Sequence, residues 1–262
     1  MPERKEAVLL IDRGSREQAV QDELKSVSES VRRLGRYAIG EFAMLEVRGP
    51  TIEEGLTKCI TLGAERIIAY PYFLHNGLKC RVAIDKVHQL SAKIDCELIE
   101  IHSPLGVDQL LVDIVLSRLE DLRAAAPTIR EEDCAVLLVG HGSRYLEEKN
   151  DLEKIARNVK EQSNYGDVGY CFLELTDPAI VEGIERSAGR RPQLLLVDPY
   201  FLHFGTHLQR DVPNELKAAS GKIALPKVLF GKHLGTDIRL AQLVMKRITE
   251  QMNQDDKRRT AP

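Results

Sequence analysis

The feature that most constrains the fold is an internal repeat, because the second half of the sequence matches the first at a constant offset. Residues 9–16 read LLIDRGSR, and residues 137–144, 128 positions later, read LLVGHGSR. The sequence PYFLH at 71–75 returns at 199–203 with the same offset. Chance similarity does not keep one register over most of each half, so we interpret the chain as a tandem duplication of one unit.

Within each copy, short apolar runs alternate with amphipathic segments. The runs AVLLI at 7–11 and AVLLVG at 135–140 are typical of buried parallel strands. Three further runs per copy have the same character, at 41–47, 66–74 and 96–101 in the first and at 170–175, 193–202 and 227–232 in the second. This alternation predicts an α/β fold with two similar domains, each a mainly four-stranded parallel sheet flanked by helices.

The repeat also sets the predicted domain limits. We place the first domain at 1–123 and the second at 134–262, with the segment 124–133 joining them. Amphipathic helices predicted over 105–122 and 235–252 close the two domains in this scheme.

Bulk composition argues against several classes of protein. The chain has 262 residues and a net charge of −3, which does not favour bulk nucleic-acid binding. Its N-terminus lacks the apolar run of a signal peptide, and no stretch approaches the ~18 apolar residues of a membrane span. The five cysteines form no C-x-x-C pair, which favours a reduced, cytoplasmic protein. We therefore expect neither a nucleic-acid partner nor a membrane partner.

Candidate chemical residues lie at the predicted carboxyl ends of the strands, where parallel α/β sheets bind ligands. In the second copy His141 follows the first strand, Glu174 lies near the end of the second, and His207 follows the third. The first copy has Arg13 and Lys79 in place of the two histidines. Neutral imidazole accepts a proton or binds a metal, whereas arginine does neither. We interpret the two differences as one site, retained in the second domain and lost from the first.

Residues that both copies share are interpreted as structural. His75 matches His203, and Tyr72 matches Tyr200, so these pairs are assigned to the common fold. The serine of each Gly-Ser-Arg turn is predicted to cap the N-terminus of the helix that follows.

Three motifs together resemble the class II tetrapyrrole chelatases, and among them the sirohydrochlorin cobaltochelatase and ferrochelatase group. The motifs are GHGSR after an apolar strand, FLEL with a Pro-initiated helix (DPAIVEGI) behind it, and PYFL-x-x-G-x-H-x-x-x-D-V-P. The resemblance covers almost the whole chain, in both halves. It implies insertion of a divalent metal ion into a tetrapyrrole that lies between two α/β domains. It also implies that His141 and His207 are the catalytic, metal-binding histidines and that Glu174 assists them.

The chain departs from this family in which half carries the site. In many long members the working histidines lie in the N-terminal half, but here that half reads DRGSR and GLKCRVAID. We therefore expect one active site, in the cleft between the domains, built by the second domain and covered by the first.

The substrate that the resemblance implies is sirohydrochlorin, an acidic macrocycle. A net-acidic protein needs local cations to bind it, and guanidinium groups bind carboxylates in a bidentate manner. The predicted substrate-binding residues are Arg13, Lys79, Ser143, Arg144 and Arg210, and Arg16 and Arg81 are further candidate cations.

Metal insertion releases two pyrrole protons, and imidazole, with an ordinary pKa of ~6.5, is suited to accept them. Two imidazoles and a carboxylate with open positions suit Co²⁺, Fe²⁺ or Ni²⁺. We predict a lyase that inserts Co²⁺ or Fe²⁺ into sirohydrochlorin, in siroheme or cobalamin biosynthesis, with the metal as substrate and no permanently bound cofactor. The alternatives are a chelatase for another tetrapyrrole or for nickel, and a non-catalytic tetrapyrrole or metal carrier. Because the duplication supplies both domains, we expect a monomer.

Overall fold

A computed structural model describes residues 4–47, 49–203, 205, 210, 214–215, 217 and 226–260, with side chains through 258. Two four-stranded sheets are present, and every strand pairing in them is parallel. The predicted α/β fold with a duplicated parallel sheet is therefore confirmed. None of the described helices is long and apolar enough to span a bilayer.

Strands and helices alternate along the chain in the order that the repeat predicts. The first repeat contains β1 (Glu6–Asp12), α1 (Gln18–Gly35), β2 (Ile39–Met44), α2 (Ile52–Thr61), β3 (Arg66–Pro71), α3 (Leu78–Ser91), β4 (Glu97–Glu100) and α4 (Gln109–Arg123). After a 3₁₀ turn, Glu131–Asp133, the second repeat contains β5 (Cys134–Gly140), α5 (Leu146–Glu161), β6 (Asp167–Phe172), α6 (Ile180–Gly189), β7 (Leu194–Pro199), β8 (Lys227–Phe230) and α7 (Ile238–Thr260).

The two sheets have equivalent strand orders, β2-β1-β3-β4 and β6-β5-β7-β8. The first strand of each repeat is central, and all but one of the residues of β1 and all of β5 are buried, which explains their unbroken apolar sequence. Leu138 of β5 lies beside Tyr170 of β6 and Asp198 of β7, so the three strands run in register to one edge. The turns that follow them meet at that edge.

Strands β2 and β6 begin and end earlier than predicted, and this moves two key residues into turns. β2 ends at Met44 and β6 at Phe172, which leaves Glu46 and Glu174 just beyond the sheet. The predicted serine caps are wrong, because the N-caps of α1 and α5 are Glu17 and Tyr145.

Each of these serines instead closes a turn that precedes the helix. Ser15 Oγ accepts a hydrogen bond from the Glu17 amide at 3.1 Å, and Ser143 Oγ accepts one from the Tyr145 amide at 3.1 Å. The chain makes this extra turn after a glycine of positive φ, which delays the start of the helix by two residues.

The chain divides into two compact units that exchange the closing helices. Unit 1 consists of the residues up to Gly106 together with those from Thr236 onward, and unit 2 is Val107–Gly235. Helix α4, from the first repeat, thus belongs to unit 2, and α7, from the second repeat, belongs to unit 1. The domain limits drawn from the sequence, 1–123 and 134–262, keep each closing helix in its own repeat. The two compact units differ from those domains in both closing helices.

Two equivalent arginines attach the exchanged helices. Arg247 of α7 donates to the Leu105 carbonyl oxygen from Nε at 3.0 Å and from Nη2 at 2.8 Å. Arg118 of α4 donates to the carbonyl oxygens of Leu234 and, at 3.1 Å, of Lys232. Leu105 and Leu234 are equivalent in the repeat, so each arginine binds the corresponding carbonyl of the other repeat.

Candidate active site

His141 lies in the turn after β5, beside a carboxylate from the turn after β6. Its Nδ1 is 3.3 Å from Glu174 Oε1 and 3.3 Å from the Gly142 carbonyl oxygen. The His141 side chain is 27% exposed and that of Glu174 is 48% exposed. The two residues therefore bring together an imidazole and a carboxylate, two groups that can each donate a lone pair to a metal ion (the donor pair), at the carboxyl edge of the sheet of unit 2, where sequence analysis predicts them. The second ring nitrogen, Nε2, is buried.

The close approach of these two turns requires a glycine. Gly142 has a φ of +97°, and a Cβ atom there would lie 1.7 Å from the Glu174 carbonyl oxygen. The Glu174 amide donates to the His141 carbonyl oxygen at 3.0 Å across the same contact. Any larger residue at 142 would push the two turns apart and separate the donor pair.

Hydrogen bonds from a second layer of residues fix the turn that carries His141. The Gly142 amide donates to Glu148 Oε1 at 2.9 Å, from the first turn of α5. The Ser143 amide donates to Thr176 Oγ1 at 2.9 Å, and Thr176 Oγ1 donates to the Ser143 carbonyl oxygen at 2.5 Å. On another side, the Phe201 ring lies 6.4 Å from the His141 ring, centroid to centroid. Sequence analysis missed Glu148 and Thr176, because nothing in their local sequence indicates which amide they bind.

The remaining predicted residues of this site are only partly described. His207 lies outside the described residues. Arg144 and Arg210 are exposed, and Ser143 uses its hydroxyl oxygen within the turn. Within the described parts of the chain, no cluster of three His, Cys, Asp or Glu side chains could hold a metal ion. Of the two predicted metal-binding histidines, the structure therefore describes His141, which lies beside Glu174.

Unit 1 fills the equivalent position with an ion-paired cluster. The Lys79 ammonium binds Glu46 Oε1 closely, and Arg13 Nε lies 3.8 Å from Glu46 Oε2. Arg13, Lys79 and Glu46 are the repeat equivalents of His141, His207 and Glu174. The side chains are 54%, 40% and 38% exposed, so the cluster carries one net positive charge at the surface. It offers no nitrogen lone pair to a metal ion while both cations are protonated.

The shared tyrosines are buried in the fold, as their structural interpretation requires. Tyr72 and Tyr200 are 0% and 2% exposed, and burial raises the pKa of both phenols well above the ordinary value. His75 and His203 are both partly buried.

Sequence analysis missed Asp198, which is fully buried at the carboxyl end of β7. Neither of its carboxylate oxygens accepts a hydrogen bond from the described residues. Burial raises the pKa of Asp198 to about 7, and Arg118 opposes the rise. Unit 1 has Tyr70 at the equivalent position, and this charged-for-aromatic difference was the available signal.

Fold and site together define a class, namely tandem α/β proteins in which one of two homologous sheets presents an imidazole–carboxylate pair. The CbiX family model matches residues 7–122 and residues 135–251, once in each repeat. The chain therefore belongs to the CbiX family.

Named relatives agree with this membership. A sirohydrochlorin ferrochelatase of Priestia megaterium is 31% identical over 219 residues, which cover 82% of this chain and 79% of the relative. A sirohydrochlorin cobaltochelatase of the same organism is 27% identical over 208 residues, covering 78% of this chain and 66% of the relative. The solved structure of SirB from Bacillus subtilis with Fe³⁺ has a TM-score of 0.79 at 23% identity, covering 94% of this chain and 95% of that one. At 23% identity, the similarity to SirB shows a shared fold only.

Proposed function

We propose that this protein is a chelatase that inserts Co²⁺ or Fe²⁺ into sirohydrochlorin, in siroheme or cobalamin biosynthesis. The observation that carries the proposal is the donor pair at 3.3 Å between His141 and Glu174, in a chain of the CbiX family. The named relatives support the substrate, since both are sirohydrochlorin chelatases.

The residue types at the site suit this reaction. His141, His207 and Glu174 hold the incoming ion through two imidazole nitrogens and a carboxylate, and they leave coordination positions open for the macrocycle. The macrocycle gives up two pyrrole protons, and its four nitrogens then take the ion from the protein. The imidazoles of His141 and His207 each accept one of these two protons as the metal leaves them, and the Glu174 carboxylate stabilises the imidazolium of His141. The metal ion is a substrate, and no permanently bound cofactor takes part.

Cations bind the carboxylates at the edge of the macrocycle in this proposal. Arg144 and Arg210 are exposed in unit 2, and Ser143 lies in the turn that carries His141. Arg13 and Lys79 already share Glu46, so a substrate carboxylate that binds them adds to an existing ion pair. Their contribution is therefore expected in the KM for sirohydrochlorin rather than in kcat.

Anaerobic spectrophotometry of sirohydrochlorin with Co²⁺, Fe²⁺ and Ni²⁺ in turn tests the function. The wild-type protein is expected to accelerate metallation with Co²⁺ or Fe²⁺, and both His207→Ala and Glu174→Gln should reduce kcat/KM by about 100-fold or more. His88→Ala is the matched control, because His88 is 77% exposed and paired with Glu100. Tetrapyrrole binding without metallation would indicate a carrier, and a normal rate in His207→Ala would remove His207 from the mechanism.

We also propose that the protein acts as a monomer in the cytoplasm. All five cysteines are free thiols, and four of them are buried, which suits a reducing compartment. Light scattering coupled to gel filtration tests the monomer, and cell fractionation with an antibody tests the compartment.

A further inference from the structure

Leu175, the residue after Glu174, combines a strained backbone with an exposed apolar side chain. It has a φ of +60° and is 60% exposed. The left-handed region brings Cβ close to the following carbonyl oxygen, so glycine or asparagine is the usual occupant. Because the leucine side chain is exposed, it gains no packing energy within the fold that would offset this strain. Val47, the equivalent residue of unit 1, has a φ of +71°, so this conformation belongs to the shared turn, and the strain alone does not indicate a ligand site.

The turn that carries His141 exposes two more apolar side chains. Tyr145 is 37% exposed and Leu146 is 68% exposed. Unit 1 has Glu17 and Gln18 at the equivalent positions, so the shared fold does not require apolar residues there. The apolar pair occurs only in the copy that keeps the histidine.

Direct hydrogen bonds join the two turns that carry these three residues. The Ser143 amide and carbonyl oxygen both bond to Thr176 Oγ1, at 2.9 and 2.5 Å. Leu175 adjoins Thr176, while Tyr145 and Leu146 follow Ser143 within three residues. The same two turns place His141 and Glu174 at 3.3 Å from each other. The apolar residues and the donor pair therefore lie on, or directly follow, the same two hydrogen-bonded turns.

We propose that Leu175, Tyr145 and Leu146 form an apolar platform that contacts the flat face of the tetrapyrrole next to the donor pair. This inference rests on the proposed function and assigns residues that the metal chemistry does not use. A tetrapyrrole has acidic groups at its edge and two apolar faces, which need apolar partners. A tyrosine ring stacks on a conjugated macrocycle in an offset arrangement, and leucines cover the neighbouring pyrroles. The exposed cations bind the acidic edge of the macrocycle, and the platform contacts its apolar face.

Substitution of Leu175 separates ligand binding from fold stability. Leu175→Gly and Leu175→Asn both place a residue that accepts the left-handed conformation, so neither is expected to lower the melting temperature. Both remove apolar contact, so the Kd for metal-free sirohydrochlorin, measured by fluorescence quenching, should rise about 10-fold. The Kd for Co²⁺ alone should change less than 2-fold, because the donor pair is intact. A structural role for Leu175 would instead lower the melting temperature.

Val47 provides the matched control in unit 1. It follows Glu46, has a φ of +71° and is 55% exposed, but its unit has no apolar pair at the positions of Tyr145 and Leu146. Val47→Gly therefore relieves the same strain and should change the sirohydrochlorin Kd less than about 3-fold. A Val47→Gly effect equal to that of Leu175→Gly would overturn the assignment of the platform to unit 2.

The double variant Tyr145→Glu with Leu146→Gln gives this surface the unit 1 residues and should weaken sirohydrochlorin binding about 10-fold or more. Unchanged binding in this variant and in Leu175→Asn, with a wild-type protein that metallates sirohydrochlorin, overturns the platform and leaves the chelatase proposal intact. A wild-type protein that neither binds nor metallates sirohydrochlorin contradicts the proposed function itself.

Discussion

The two units share one sheet order, but the equivalent carboxylates, Glu46 and Glu174, have different neighbours. In unit 1 two cations, Arg13 and Lys79, enclose Glu46, whereas in unit 2 an imidazole lies beside Glu174. The central strands differ little between the copies, and both Gly-Ser-Arg turns keep the glycine that allows the close approach. At this edge of the sheet the two copies differ in the residues beside the shared glutamate. The difference between His141 and His207 in one unit and Arg13 and Lys79 in the other replaces nitrogen lone pairs by positive charge, which supports our interpretation that unit 2 keeps a site that unit 1 has lost.

The largest expected effect comes from giving unit 2 the chemistry of unit 1. His141→Arg places a permanent cation beside Glu174, where it forms an ion pair and cannot donate a lone pair. Metallation should fall by about 10²–10⁴-fold in kcat/KM, measured with sirohydrochlorin and Co²⁺, while the melting temperature stays near the wild-type value. A variant that retains more than a tenth of wild-type activity would show that the donor pair is not the reaction centre.

The reverse exchange should build a metal site in unit 1. Arg13→His with Lys79→His removes both partners of Glu46 and supplies two imidazoles around one carboxylate. Titration with Co²⁺, followed by calorimetry and by visible absorption, should show the number of ions bound per chain rising from one to two. The single variant Lys79→His is the control, because Arg13 still pairs with Glu46 in it. A ratio that stays at one would mean that more than these two residues separates the units.

The next largest effect concerns Asp198 and Tyr70, which occupy equivalent strand ends. Burial raises the pKa of Asp198 to about 7, so the folded protein binds this proton more tightly than the unfolded chain does. Its contribution to stability is therefore complete at acid pH and is lost as the pH rises toward and through 7. Between pH 4 and pH 7, the unfolding free energy attributable to Asp198 falls in the wild type. In Asp198→Asn this fall should be smaller by roughly 2–4 kcal/mol.

Tyr70→Phe is the control for this effect, since it changes the equivalent strand end in unit 1 and removes no carboxylate. Denaturant unfolding at several pH values measures both variants. A pH dependence in Asp198→Asn equal to that of the wild type would mean that Asp198 is ionised at neutral pH in the folded protein.

A smaller effect is expected from the carboxylates that bind the glycine amide in each turn, because these carboxylates differ between the units. In unit 2 the Gly142 amide donates to Glu148 at 2.9 Å, and in unit 1 the Gly14 amide donates to Asp12 at 2.8 Å. Glu148→Ala releases the turn that carries His141, so the Kd for Co²⁺ should rise about 10–100-fold. Glu148→Gln keeps an oxygen acceptor and should restore most of the affinity.

Asp12→Ala removes the equivalent bond in unit 1 and should leave the Kd for Co²⁺ unchanged. Equal losses of Co²⁺ affinity in Glu148→Ala and Asp12→Ala would show a general loss of structure rather than the positioning of His141. Isothermal titration calorimetry with Co²⁺ measures all three variants.

The sequence predicts the sheets and the location of the donor pair well, because both depend on patterns that are local. Unbroken apolar runs mark the central strands, and parallel strands bring the turns after them to one edge. His141 and Glu174 could therefore be placed together from the sequence. The same rule places Arg13, Lys79 and Glu46 at one edge, but the sequence assigns the two cations to the substrate and does not predict their ion pairs with Glu46.

Other features depend on contacts that a local pattern does not contain. The amphipathic pattern of α4 and α7 indicates which face of each helix is buried, but not which of two similar sheets covers it. The helix exchange was therefore not predictable, and the domain limits drawn from the repeat assign each closing helix to its own copy. Glu148 follows another glutamate, Glu147, in the first turn of α5, and only the structure shows that Glu148 accepts a hydrogen bond from the Gly142 amide.

The smallest expected effect tests this exchange directly. Arg118 belongs to the first repeat but bonds to the carbonyl oxygens of Lys232 and Leu234, whereas Arg247 belongs to the second repeat and bonds to that of Leu105. Arg118→Met keeps the apolar stem and removes the donors, so unfolding should become easier by about 1–2 kcal/mol. Faster amide exchange should appear in β7, β8 and the segment 231–235 of unit 2, and not in β1–β4. Arg247→Met should give the opposite pattern, with faster exchange near β4 and residues 101–106. If each variant loosened its own repeat instead, the closing helices would not be exchanged, and the units would follow the sequence repeats.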